Sequence, residues 1–173
     1  CVLFGDGAGA VILQKTKGDH GILGSLMKSN GAYHDFICMP GGGSDRPAND
    51  PKSIEERLPF IKMKGNETFK VAVKAMSDVS TELLTEQGFT HEQIDLFIPH
   101  QANLRIIDAV GEKLKIDRAK IYKNIDRFGN TSAASIPIAL DECVREGRLK
   151  TGDMVLMTAF GAGLVWGSVL LRW

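Results

Sequence analysis

Leu96-Phe97-Ile98-Pro99-His100-Gln101-Ala102-Asn103 is the stretch on which the fold turns. Three apolar residues and a proline read as a short buried strand. The polar residues after it open onto Leu104, Ile107, Val110 and Leu114, whose three-to-four spacing predicts an amphipathic helix with Asn103 near its cap. A strand that delivers a polar side chain to the mouth of a helix belongs to an open α/β sheet, where crevices form beyond the carboxyl ends of strands. Phe128-Gly129-Asn130-Thr131-Ser132-Ala133-Ala134-Ser135 reads the same way. One junction offers an imidazole, the other a carboxamide. Both are neutral hydrogen-bond donors able to converge on one oxygen, which points to chemistry where negative charge develops on a carbonyl.

Working outward, Phe69, Val73, Met76, Val79 and Leu83 predict a helix that Asn66 can cap and Gly88 closes. Ile136, Ala139, Leu140, Cys143 and Val144 predict another, ended by Gly147 and either begun or bent near Pro137. Strands are expected at residues 2–4, 8–13, 22–27, 94–99 and 121–125, and residues 31–53, with three prolines and Gly41-Gly42-Gly43, read as an irregular flap. Alternation of strand and helix predicts a layered sheet with helices against its faces.

At 173 residues the chain is expected to form one domain with its own core. Lys plus Arg equals Asp plus Glu at 21 each, so no global field argues for nucleic acid or a membrane surface. Three cysteines without framework spacing fit a reducing cytosol. The uncharged run at residues 154–171 reaches the length of a membrane span, but Gly161-Ala162-Gly163 interrupts it and its valines favour two buried strands around a turn. The opening, Cys1-Val2-Leu3-Phe4, enters a strand at once and reads as the middle of a longer protein.

Gly5-Asp6-Gly7-Ala8-Gly9-Ala10 matches the dinucleotide fingerprint in form, yet Val11-Ile12-Leu13 continues as strand where a helix is required. A tight strand-to-strand turn is the expected role. His20, His34, His91 and His100 lack the short spacings of zinc ligands, and no metal or cofactor is expected. His100 differs in being fixed by Pro99 and the helix after it; the positive helix terminus should lower its pKa, and neutral imidazole still donates one hydrogen bond. Asn130 could instead serve only its own turn, but Thr131 or Ser132 can cap the helix and leave its amide free. Phe160-Gly161-Ala162-Gly163 lets a ligand approach backbone amide hydrogens. Cys1, Cys38 and Cys143 all lack the basic neighbour or helix N-terminus that activates a thiol.

Phe4-Gly5-Asp6-Gly7-Ala8-Gly9-Ala10, Pro99-His100-Gln101-Ala102-Asn103, Gly129-Asn130-Thr131-Ser132-Ala133-Ala134-Ser135 and Phe160-Gly161-Ala162-Gly163 together resemble the beta-ketoacyl-acyl-carrier-protein synthase III family. The signatures stand in the family's order along nearly the whole chain. The resemblance implies the thiolase fold, an α/β architecture in which two similar halves each carry a mixed sheet flanked by helices. Residues 1–173 would be the C-terminal half, the nucleophilic cysteine belonging to the N-terminal half and matched by none of the three cysteines here.

It also implies a decarboxylative Claisen condensation of an acyl-CoA primer, usually acetyl, with malonyl-acyl carrier protein, initiating fatty-acid synthesis in a cytoplasmic homodimer. By resemblance His100 and Asn130 bind the enolate oxygen, and the Ala162 amide, where the family usually has glycine, holds the oxyanion on the acyl-cysteine side. Gly65, Phe69, Ala102 and Asn103 line the pantetheine channel, and Lys70 and Arg105 receive the acidic carrier protein, with Lys74 and Lys113 on the same helices. Two other expectations stand beside this one: a non-catalytic carrier-binding module, and a dinucleotide-binding domain.

Overall fold

The computed structural model describes residues 3–173, so Cys1 and Val2, where the first strand is expected to begin, lie outside the described residues. In chain order the elements are β1 (Gly21–Ser29), β2 (Ile37–Cys38), α1 (Pro51–Glu55), β3 (Lys62–Met63) and the long α2 (Gly65–Glu86). They continue with β4 (Leu96–Pro99), α3 (Leu104–Lys113), the single-turn α4 (Ile125–Phe128), α5 (Ser135–Arg145), β5 (Met154–Gly161) and β6 (Val165–Arg172). The main sheet has the order β1-β6-β5-β4; β4 runs parallel to β5, and the other pairs are antiparallel. The uncharged run near the C-terminus is therefore the β5–β6 hairpin. Among the described residues no helix is long and apolar enough to cross a membrane.

Side-chain direction alternates along a strand, so a sheet covered on both faces needs apolar residues at consecutive positions. Phe97, Met154 and Leu156 point into one cluster with Ala72, Met76 and Leu83 of α2 and Ile107 and Val110 of α3. Leu96, Ile98 and Val155 point the other way, against Ala139 and Cys143 of α5. Each fully buried side chain of this size contributes about 1.5–3 kcal/mol. The two layers of helix clamp β4 and β5, and the loop leaving β4 inherits that rigidity.

Several expectations need correction. Residues 8–13 form no strand: Ile12 is 94 % exposed and Leu13 76 %. A strand exists only where its amides find a neighbour, and this segment runs beside none. Residues 121–125 give a single parallel bridge, Ile121 to Phe97, before the chain turns into α4. The flap at residues 31–53 is not wholly irregular; it holds β2 and the start of α1, and β2 pairs with β3 in a separate two-stranded sheet. Asn66 does not cap α2, whose cap is Lys64 with no side-chain bond, but Gly88 does end the helix at φ +73°. Pro137 sits in the first turn of α5, where its missing amide hydrogen removes no helical bond.

Candidate functional site

His100 extends the sheet by one residue: its amide donates to the Thr158 carbonyl at 2.8 Å, just past the Pro99–Thr158 pair. The chain then turns at once. The Ala102 amide donates to the His100 carbonyl at 2.9 Å, and Asn103 caps α3 by accepting from the Arg105 amide at 2.8 Å. The ring Nδ1 of His100 lies 2.7 Å from the Ser135 hydroxyl at the start of α5. Burial lowers the His100 pKa to about 4, so the ring is neutral at pH 7. The direction matches the sequence reading, and the cause is desolvation, which disfavours the charged ring.

Gln101 holds the loop from the other side. Its side chain is 1 % exposed, donates to the Pro99 carbonyl at 2.7 Å and the Tyr122 carbonyl at 3.3 Å, and accepts from the Asn124 amide at 3.1 Å. Asn124 in turn donates to Glu142 on α5 at 2.7 Å, and Arg127 pairs with the same carboxylate at 2.7 Å. The His100 loop is thus bonded to residues on both sides of Asn130, upstream through Asn124 and downstream through Ser135.

Asn130 does not follow a strand, as its sequence neighbours suggest, but the short α4 and the left-handed Gly129 (φ +66°). Its backbone bridges the N-terminal segment: the Asn130 amide donates to the Leu3 carbonyl at 3.1 Å, and the Gly5 amide donates to the Asn130 carbonyl at 3.0 Å. Its side-chain oxygen accepts from the Ser132 amide at 2.9 Å, so Asn130 itself makes the turn that Thr131 or Ser132 was expected to cap. An amide has two ends, however. With the oxygen engaged, the orientation of the carboxamide is fixed and its NH₂ makes no bond among the described residues.

The glycine-rich N-terminal segment serves this loop. No helix follows it, so the dinucleotide fingerprint is empty, and the expected tight turn is absent too; residues 5–17 form no helix, strand or turn. A methyl group added to Gly5 would stand 1.9 Å from the Phe128 carbonyl oxygen, while Gly7 and Gly9 face Thr131 and Pro137. At Gly5 the obstacle is backbone, the Phe128 carbonyl, whereas at Gly7 and Gly9 it is the side chains of Ile138, Thr131 and Pro137. Gly5→Ala is expected to lower stability by about 1–3 kcal/mol through overpacking and to loosen the bridge to Asn130, read by urea unfolding. An unchanged midpoint would mean the segment does not brace the loop.

The other expected residues lie on several separate elements. Ala162 occupies the exposed turn between β5 and β6. Gly65 opens α2 in open space, and Phe69, one turn on, lies beneath the Arg105 guanidinium at 5.1 Å from the ring centre. Ala102 and Asn103 form the turn after His100. Lys74 and Lys113 both pair with Asp78, leaving Lys70 and Arg105 without a carboxylate partner among the described residues. Cys143 is buried, and desolvation pushes its thiol up to about 12, which makes it inert at neutral pH. Among the described residues no group of three or more His, Cys, Asp or Glu could hold a metal. Sequence reasoning missed Ser135 and Gln101, although both lie inside the stretches first singled out.

Comparison with known proteins identifies the family. The family model described as 3-Oxoacyl-[acyl-carrier-protein (ACP)] synthase III C terminal matches residues 84–173, and 3-Oxoacyl-[acyl-carrier-protein (ACP)] synthase III matches residues 1–31. A beta-ketoacyl-[acyl-carrier-protein] synthase III of Caldanaerobacter subterraneus is 49 % identical over 100 % of this chain, which spans 52 % of that protein. The crystal structure of 3-oxoacyl-[acyl-carrier-protein] synthase III from Aquifex aeolicus superposes with a TM-score of 0.87 at 47 % identity, over 100 % of this chain and 51 % of its own. The corresponding Thermus thermophilus enzyme gives 0.87 at 40 % identity, over 99 % of this chain and 52 % of its own. The chain therefore spans about half the length of the relatives it matches, and its mixed sheet flanked by helices is thiolase-like. This chain belongs to the 3-oxoacyl-[acyl-carrier-protein] synthase III family of condensing enzymes, whose C-terminal region it carries.

Proposed function

We propose that the chain supplies the enolate-binding half of a condensing enzyme that joins an acyl-CoA primer, acetyl-CoA in the simplest case, to malonyl-acyl carrier protein at the start of fatty-acid synthesis. One observation carries the reading: two neutral donors stand on loops tied to each other, an imidazole kept uncharged by burial and a carboxamide whose oxygen is already engaged. Neutral donors suit an oxygen that gains charge only during the reaction, because they do not trap the charged ground state of a substrate.

In the proposed sequence a cysteine of the N-terminal half accepts the acyl group from coenzyme A. The malonyl group then loses carbon dioxide; the breaking carbon–carbon bond leaves its electron pair as an enolate, whose oxygen His100 and Asn130 bind. The enolate carbon attacks the acyl-cysteine carbonyl, the Ala162 amide holds the resulting oxyanion, and collapse expels the cysteine thiolate and releases the 3-oxoacyl chain on its carrier. No base is needed, since decarboxylation itself generates the carbanion. Gly65, Phe69, Ala102 and Asn103 line the path of the pantetheine arm. The exposed apolar side chains of the N-terminal segment and of Met27, 83 % exposed, suit burial against the other half of the polypeptide. The complete enzyme is a cytoplasmic homodimer in this reading.

The test is made on the complete polypeptide. Acetyl transfer to the protein and malonyl decarboxylation are measured separately; absence of both would overturn the reading, and carrier binding without turnover would favour a non-catalytic module.

Lys70 and Arg105 form the proposed docking patch, their charges unneutralised on adjoining helices while Lys74 and Lys113 are occupied by Asp78. An exposed ion pair contributes at most about 1 kcal/mol, roughly fivefold in affinity. Arg105→Glu is expected to weaken carrier-protein binding by at least that factor at low salt and less as salt rises. Unchanged carrier affinity would remove the patch.

A further inference from the structure

We propose that Ser135 is a positioning residue that sets the tautomer of His100, keeping the ring proton on Nε2 and leaving Nδ1 bare. The proposal deepens the reading of His100 as an oxyanion donor and rests on it for its consequence in turnover, whereas the tautomer is a property of the resting protein.

Ser135 Oγ lies 2.7 Å from His100 Nδ1 and 3.3 Å from the Gln101 amide nitrogen. An amide N–H only donates, so Oγ accepts from Gln101. The hydroxyl has one proton of its own to give, and His100 Nδ1 is the acceptor within its reach among the described residues. A neutral imidazole carries one N–H; with Nδ1 receiving a hydrogen bond, that N–H is on Nε2. Nε2 makes no bond among the described residues, so its proton is available to a ligand. The opposite tautomer would present a lone pair to the enolate oxygen and repel it.

Ser135 has no competing duty. It is the first residue of α5, and among the described residues its hydroxyl meets the His100 ring and the Gln101 amide and no carbonyl of its own helix. At 2 % exposure it also meets no bulk water that could take the proton instead. The Gln101 amide and the helix backbone together hold Oγ against the ring.

The test reads the two ring nitrogens of His100 by NMR in the complete polypeptide containing this chain, labelled with ¹⁵N in its histidines. The wild type is expected to show Nδ1 bare and Nε2 protonated at neutral pH. Ser135→Ala is expected to lose this pattern, giving mixed tautomers, and Ser135→Thr, which keeps a hydroxyl, to restore it. Malonyl decarboxylation by Ser135→Ala should fall in proportion to the remaining Nε2-protonated fraction, with acetyl transfer to the protein unchanged. A protonated Nδ1 in the wild type overturns the proposal, as does a folded Ser135→Ala with the wild-type tautomer. Should the alanine variant not fold, Ser135→Cys, with its weaker donor, is expected to give an intermediate pattern, and a wild-type pattern there overturns it. The expected tautomers in a protein that does not decarboxylate malonyl thioesters would support the role of Ser135 and overturn the proposed function instead.

Discussion

Replacing His100 with alanine is expected to slow malonyl decarboxylation by about 10²–10³-fold, the usual effect of removing one donor from an oxyanion site. Asn130→Ala should do the same by the same route, and acylation of the enzyme by acetyl-CoA should proceed in both variants. The separation follows from geometry. Both side chains belong to one bonded unit made of the β4–α3 loop and the turn before α5, while the Ala162 amide lies in the β5–β6 turn. Their double variant should slow decarboxylation by much less than the product of the single effects, because donors that grip one oxygen act as a unit. Separate assays of the two half-reactions decide the matter, and equal loss of both would show that the variants damage the fold rather than the enolate.

Acid should destabilise the protein through the same histidine. Burial holds the folded His100 pKa at about 4, against 6.5 for an exposed ring. The unfolded chain therefore takes up the proton first. The contribution of neutral His100 is whole above pH 6.5, fades as pH falls toward 4 and is gone below it, a loss of about 3 kcal/mol. No charged neighbour drives the effect, since burial is its one cause. Asp35 and Asp78, lowered chiefly by Lys64 in one case and by Lys74 and Lys113 against opposing burial in the other, lose their contributions at still lower pH. Urea unfolding of the wild type and of His100→Gln at pH 7 and pH 4 isolates the term. The wild type should lose about 3 kcal/mol more than the variant; equal losses would mean that His100 charges freely in the folded state.

Much of this arrangement is legible in the residues. Consecutive apolar positions in β4 and β5 declare strands covered on both faces, and they are. Three-to-four spacing marks α2, α3 and α5 because it places one stripe of side chains toward the sheet. Asn103 is a cap by chemistry alone, and Pro99-His100 locates a polar group at the end of a buried strand. The links that make these groups a site are less legible. Nothing near His100 in sequence names Ser135 as its partner, and nothing near Gln101 names Asn124.

What the sequence determined by itself is local: which way side chains face along a strand or helix, which residues cap and turn, and the identity of the two donors. Tertiary structure decided the rest. It denied residues 8–13 a strand because no neighbour meets their amides, gave Lys74 and Lys113 to Asp78, and pressed Gly5 against the Phe128 carbonyl. It also kept His100 neutral by enclosing it. Periodicity and capping depend on residues within a turn of each other, whereas pairing, burial and the surroundings of a charge depend on segments that meet only when the chain has folded.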